Sequence, residues 1–435
     1  MAALDARTYQ TILRVKPARA FDVGGLLMRL YVYMVNIGVV TMLTLAGYSF
    51  LVAGLVASAI ALSTFLISPR LAKLIDRKGQ RTVIPWATCI PVVGTIAMLV
   101  CVVVHASPWM LLPLAILMGA LVSPQALVRA RWTYLIRTHR LGNASPTLHG
   151  VFSYECLLDD LGFLVAPPLA IFLASTFVPI AGLSVGIVAY VVGAVLITTS
   201  RTTEPTVGWT PDNEPEEAEL TNETAAEGEI GHAPEAAAES DRERKRSIFH
   251  LSPVVRILFA MMFFVGAFFG VLDVATVSFA EGTGDANVAS GALMLQAVFS
   301  MGAGFLFGMV RLQVRLTTQL VVLAVCLSVS FATTAFIDSV LLLYLLTSLP
   351  AIFYAPLLIM VNATCERAVP GARFTEAIAW VNAGCTCGLA LGPTLGGVVI
   401  DSFGVLATFQ VGGVVVLMVG AIALVFRRRL RHSIR

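Results

Sequence analysis

Apolar side chains run through the chain in long blocks separated by short polar breaks. Twelve blocks can be read, at 23–45, 47–69, 83–104, 108–128, 150–174, 177–199, 253–280, 288–310, 317–337, 339–363, 375–400 and 404–426. A helix rises 1.5 Å per residue, so roughly 20 apolar residues cross the hydrocarbon core of a bilayer. The pattern predicts an all-α membrane protein with twelve transmembrane helices. Several blocks contain Gly and Pro, which membrane helices tolerate better than soluble ones. Arg7, Arg14, Lys16 and Arg19 precede the first block. That block is too long for a signal-peptide core and reads as a retained first span.

The polar breaks alternate in charge. With an even number of spans, both termini share a side with the loops near 70–82, 129–149, 200–252, 311–316 and 364–374. All 29 Lys and Arg residues fall in those segments or close to them, with Arg29 and Arg256 just inside their helices. The opposite loops carry only Glu281, Asp285, Asp338 and Asp401. The positive-inside rule then places both termini in the cytoplasm. Composition agrees: 57% of residues are hydrophobic and 13% charged, with a mean hydropathy of +0.86. A soluble core cannot absorb that excess.

One segment breaks the rhythm. Between Glu204 and Glu243 lie 13 of the 26 acidic residues, followed by the basic run Arg242 to Arg246. Such a composition buries too little apolar surface to fold. The chain thus divides into an N-terminal six-helix bundle (1–200), an acidic disordered cytoplasmic linker (201–250) and a C-terminal six-helix bundle (251–435). Gly162 to Ala170 and Gly388 to Gly397 share a small-residue and proline pattern in the fifth run of each half. Parallel six-helix repeats build one large class of secondary transporters, with the substrate site between the halves.

Between the second and third runs stands Asp76-Arg77-Lys78-Gly79-Gln80-Arg81. It resembles the signature loop of the major facilitator superfamily, Gly-x-x-x-Asp-Arg/Lys-x-Gly-Arg/Lys-Arg/Lys. Ala72 replaces the first Gly, and Gln80 replaces one basic residue. Gly79 suits a tight turn through its backbone freedom. The resemblance implies two pseudo-symmetric six-helix bundles working by alternating access. It also implies a gating role for Asp76, Arg77, Gly79 and Arg81, latching the cytoplasmic ends of the halves in the outward-open state. Gly388, Gly392, Pro393 and Gly396 are similar to the Gly-Pro packing motif of family antiporters, displaced here to the eleventh run. Two features depart from the family's proton-coupled drug exporters. Arg129 and Arg131 lie at the cytoplasmic end of the fourth run rather than inside it, and the first run has Asn36 but no acid.

Three carboxylates sit within the fifth run. Glu155 and Asp159 are four residues apart and share a helix face; Asp160 adjoins them. Asp159 lies about 15 Å along the helix from its cytoplasmic start. Intramembrane charge is expensive and faces the bundle interior. Two readings stand for Glu155: a structural clasp to Arg129 or Arg131, or proton coupling together with Asp159 and Asp160. Asp273 is the other deep acid. The resemblance further implies that runs one, four, seven and ten line the family's central cavity, where they offer Tyr31, Tyr33, Asn36, Gln125, Asp273, Tyr354 and Asn362. No Lys or Arg is seen in the middle of a run, which suits a neutral or cationic amphipathic substrate over an anionic one.

No phosphate-binding loop, metal-ligand set or catalytic constellation is present in the sequence. The seven cysteines form neither a disulfide framework nor a zinc site. The expectation is a non-enzymatic, cofactor-free, monomeric multi-pass protein of a bacterial inner membrane. Its partners would be a small molecule, protons and lipid, with no nucleic acid. It would export a small amphipathic compound as a proton antiporter. The alternatives are a proton-coupled importer, a facilitator of a neutral solute, or a transport-dead relative acting as a sensor or assembly partner.

Overall fold

The computed structural model describes residues 11–12, 14–138, 146–206, 252–309, 314–369 and 374–433. The N-terminal half comprises α1 (Lys16–Leu45), α2 (Phe50–Lys78), α3 (Gln80–Val103), α4 (Pro108–Met118), α5 (Pro124–Arg137), α6 (Leu148–Thr176) and α7 (Ala181–Thr199). The C-terminal half comprises α8 (Pro253–Gly282), α9 (Asn287–Met309), α10 (Leu316–Ala332), α11 (Val340–Ala351), α12 (Tyr354–Ala368), α13 (Phe374–Phe403), α14 (Val405–Val425) and α15 (Arg427–Ser433). Ser or Thr hydroxyls cap five N-termini: Ser49, Ser123, Thr147, Ser252 and Ser339 each accept from a backbone N–H three residues on. The expected linker lies, beyond Thr206, outside the described residues.

Among the described residues, eleven helical stretches are long and apolar enough to cross a membrane, counting α11 and α12 together (Val340–Ala368) as one. The fourth expected run departs from the reading. It is split into α4 and α5 by a non-helical stretch at Gly119–Ser123. Pro124 explains the break, because a proline disfavours helical geometry in the residue before it. The backbone groups around this gap find partners within the half. Ser63 donates to the carbonyl of Ile116 at 2.6 Å, and Val122 N–H donates to the Tyr190 hydroxyl at 3.2 Å. Irregular backbone at membrane depth needs such partners. The tenth run is likewise interrupted, between α11 and α12 at Ile352 and Phe353, two residues past Pro350. The first helix also begins earlier than expected, at Lys16 rather than 23, and so gains Asp22.

Two apolar cores form. One draws on buried residues between Ile12 and Ile197, fringed by Val274, Val277, Ala280, Ala289 and Ile400. The other draws on residues from Val254 to Leu430. In the second, α8 and α13 pack backbone to backbone. A Cβ added at Gly388 would stand 2.0 Å from the Phe263 carbonyl oxygen, and one at Gly392 2.5 Å from that of Ala267. Gly396 faces Val271 more loosely, at 3.4 Å, and Pro393 reaches Gly270 and, on its other side, Gly54 of α2.

The halves meet at the face away from the basic loops. Thr44 donates to Glu281, Ser175 to Asn287 at 2.8 Å, Ser290 to the Pro168 carbonyl at 2.9 Å and Thr394 to Ser58 at 2.6 Å. At the basic face, Asp76 and Arg77 are exposed. Neither has a hydrogen bond or ion pair among the described residues. Gly79, at φ +86°, joins α2 to α3 in a conformation that favours glycine. Gln80 accepts from Arg131 Nε at 2.7 Å, and Arg81 N–H donates to Glu204 at 2.8 Å. The polar contacts of this loop thus stay inside its own half and the root of the linker.

Candidate functional site

Three helices of the N-terminal half turn polar stripes toward one another. On α1 the stripe is Asp22, Arg29, Tyr33 and Asn36; on α5 it is Gln125, Arg129 and Trp132; on α6 it is Glu155 and Asp159. Within each helix the spacings of three, four and seven residues keep the side chains on one face. Arg29 is the hub. It is fully buried, as is Glu155, with which it makes an ion pair through Nη2. Its Nε lies 2.8 Å from Asp159 Oδ1. Asp159 also accepts from the Tyr33 hydroxyl at 2.9 Å and from Arg129 Nη2 at 3.3 Å. Gln125 Nε2 donates to the Tyr33 oxygen at 2.7 Å, and its own carbonyl accepts from Ser123 at 3.2 Å. Two guanidiniums and two carboxylates therefore form one chain that ends at the break between α4 and α5.

A second buried acid lies on the same stripe. Asp22 Oδ1 accepts from Trp132 Nε1 at 2.8 Å. Trp132 is fully buried, its ring edge-on to Phe21 at 5.5 Å. Replacing Trp132 with phenylalanine keeps the ring but strands the Asp22 oxygen. A buried acceptor left without its donor costs about 1–3 kcal/mol. A melting curve of purified Trp132→Phe should show that loss, and Asp22→Asn, whose amide oxygen can still accept, should show less.

The expected site residues divide. Glu155, Asp159 and Gln125 belong to the network. Asp160, on the flank of the α6 stripe, is exposed, and Tyr354 belongs to α12 in the other half. Tyr354 stacks edge-on against Phe269 at 4.7 Å. Asn36 turns toward the network's face, its Oδ1 buried without a hydrogen bond among the described residues. Asp273 is half-buried on α8, with no hydrogen bond or ion pair among the described residues. Asn362 is exposed near the basic end of α12. Tyr31 is corrected: it is wholly buried inside the N-terminal bundle, hydrogen-bonded to Thr95 at 2.5 Å and packed on Tyr190. Its place on α1 turns it away from the Arg29 face. No group of three or more metal-ligating side chains occurs among the described residues.

Two readings of the charges are corrected as well. Glu155 pairs with neither Arg129 nor Arg131; its cation is Arg29. Arg131 is instead spent on Gln80, the Ser200 carbonyl at 2.7 Å and Thr203 at 2.9 Å. A basic residue does stand at the depth of the carboxylates, and it comes from α1. Arg29 was legible only as a borderline member of the topology pattern. The 3–4 spacing of Asp22, Arg29, Tyr33 and Asn36 is the signal that marks it as inward-facing.

A paired helical bundle of span-length apolar helices, with ionic side chains buried among them, is the architecture of a multi-pass membrane protein. The comparisons show what it is similar to. Residues 258–435 match the model described as Major Facilitator Superfamily. The whole chain has the fold of solved transporters. A variant of the nucleoside transporter NupG superposes with a TM-score of 0.63 at 13% identity, over 97% of this chain and all of that one. The POT family transporter PepTSo gives 0.66 at 11% identity, over 96% and 98%. A bacterial homologue of the iron transporter ferroportin, in an inward-facing state, gives 0.66 at 16% identity, over 95% and 99%. No curated protein sequence matches the chain. The C-terminal half matches the family that the loop Asp76 to Arg81 resembles, and the whole chain shares the fold of these solved transporters.

Proposed function

We propose that this protein is a proton-coupled secondary transporter that exports a small neutral or cationic amphipathic compound across the bacterial inner membrane, working as a monomer with both termini in the cytoplasm. The observation that carries the coupling is the placement of Asp159. Its two oxygens are shared by Arg29, Arg129 and Tyr33, so a proton arriving there removes the charge that holds α1, α5 and α6 together. Glu155 keeps Arg29 on α6 when Asp159 is neutral. Loading Asp159 therefore loosens the contact with α5 and leaves the clasp between α1 and α6. A ligand or proton shifts a two-state carrier only through such a difference between its states.

The substrate class follows from which charges are already matched. Arg29 and Arg129 both face carboxylates. Asp160 and Asp273 face no cation among the described residues, and Phe269 and Tyr354, packed on each other, offer aromatic surface on α8 and α12. That lining suits a cation or a neutral amphipath. Closure at the face away from the basic loops corresponds, with cytoplasmic termini, to an inward-facing state. The loop Asp76 to Arg81 would engage only in the opposite state, which accords with its exposure here.

The test uses purified protein in liposomes containing a pH-sensitive dye, with tetraphenylphosphonium as the amphipathic cation. Addition of the cation to the parent should drive proton movement, and Asp159→Asn should lose at least nine-tenths of it. Uptake that persists in Asp159→Asn without proton movement would favour a facilitator. Proton and cation moving in the same direction would favour an importer. No movement of either in the parent would favour a sensor.

A further inference from the structure

One contact at the closed face breaks a local rule. Asp401 lies in the last turn of α13, where aligned peptide dipoles place partial negative charge. No basic residue accompanies it in that turn. Within its own helix this acid is badly placed. Across the interface, α2 begins at Phe50 with no acid in its first turn. The first N–H groups of a helix have no partner in the helix itself. Ser49 Oγ accepts from Val52 N–H at 3.3 Å. The Phe50 and Leu51 N–H groups donate to Asp401, at 3.2 Å to Oδ1 and 2.8 Å to Oδ2. The carboxylate of one half caps a helix of the other.

Packing lets it reach. A Cβ on Gly54 would stand 2.2 Å from the Pro393 carbonyl oxygen, and one on Gly397 2.3 Å from that of Phe50. The backbones of α2 and α13 therefore touch, which brings the end of one to the start of the other. We propose that Asp401 is a positioning residue of the transport cycle. It holds the face away from the basic loops closed by capping α2 across the interface, and it lets go when that face opens. The proposal rests on the alternating-access reading. Its leverage comes from being made in one state only: once the halves part, both N–H groups and the carboxylate return to water. A contact common to both states would move no population.

The experiment reads conformation rather than transport, so it stands apart from the substrate and proton assignments. Spin labels go on Trp109→Cys and Phe403→Cys, exposed positions near this face in the two halves. The seven native cysteines are replaced, and distances are measured by pulsed EPR in lipid nanodiscs. Asp401→Ala should raise the ratio of long to short distances about fivefold, the ratio that loss of a typical N-cap corresponds to. Asp401→Asn, whose amide oxygen still accepts at a helix N-terminus, should shift it less than twofold. Phe50→Pro removes one donor at the first helical position, where proline suits a helix. It should shift the ratio in the same direction, by less, and add nothing in the Asp401→Ala background. An unchanged distribution in Asp401→Ala overturns the proposal. Equal shifts in Asp401→Ala and Asp401→Asn overturn it too, because charge rather than capping would then be responsible. If Asp401→Ala does not fold, Phe50→Pro decides: no shift overturns the proposal.

Discussion

Replacing Arg29 with methionine is expected to destabilise the protein by about 3–5 kcal/mol, the cost of leaving one member of a buried ion pair without the other. Arg29 and Glu155 have no solvent exposure, and the second Glu155 oxygen has no hydrogen bond among the described residues. In Arg29→Met the Glu155 carboxylate would lose the only cation that touches it among the described residues, whereas Asp159 would keep Arg129. The double variant Arg29→Met/Glu155→Met removes both charges and should recover most of the loss, because a buried pair replaced by apolar groups of similar size is often neutral or better. Arg29→Lys should recover little. One ammonium cannot span Glu155 and Asp159 as the planar guanidinium does. Thermal unfolding of the purified variants in one detergent gives the order. A double variant as unstable as Arg29→Met would mean that Arg29 acts through packing rather than charge.

Gly388→Ala is expected to cost about 1–3 kcal/mol or more, the range for overfilling a packed core. The new methyl would lie 2.0 Å from the Phe263 carbonyl oxygen, so α8 and α13 must move apart along their length. Backbone cannot step aside as a flexible side chain can. Gly302 is the control. It is helical, and nothing lies within 4 Å of the position a Cβ would take. Gly302→Ala should therefore be neutral or stabilising by less than about 1 kcal/mol, since alanine restricts the unfolded chain more than glycine does. Melting temperatures of both variants check the contrast. A small effect at Gly388 would show that the α8–α13 contact relaxes without cost. The glycine and proline pattern that resembles an antiporter motif is, in this fold, a packing seam facing α8 on one side and α2 on the other.

These expectations place function and stability in overlapping residues. Arg29 secures the N-terminal bundle and also holds Asp159, the acid proposed to take the proton. Intramembrane charge is retained where it does something that apolar packing cannot. The break between α4 and α5 fits the same view. It leaves Ser123 and Gln125 at the end of the network, where a continuous helix would have carried its own backbone bonds straight through.

Hydrophobic periodicity alone determined the class of fold. Runs of some twenty apolar residues have few other stable destinations, and the separation of basic from acidic loops set their alternation. The loop around Gly79 pointed to the transporter family, because a tight turn between an acid and a basic cluster is a local feature that a sequence displays directly. The stripe of Glu155 and Asp159 was visible for the same reason: four-residue spacing is local to one helix. Only the tertiary structure decided their partners. Arg29 reaches Glu155 across 126 residues, Trp132 reaches Asp22 across 110, and Asp401 reaches Leu51 across 350. Helix rotation and crossing are set by packing against neighbours, and no local pattern states which stripe will face which. Tyr31 shows the converse. It shares a helix with Arg29, but two residues turn it about 200° away, into the bundle. A sequence shows which residues share a face; the assembled helices decide what that face meets.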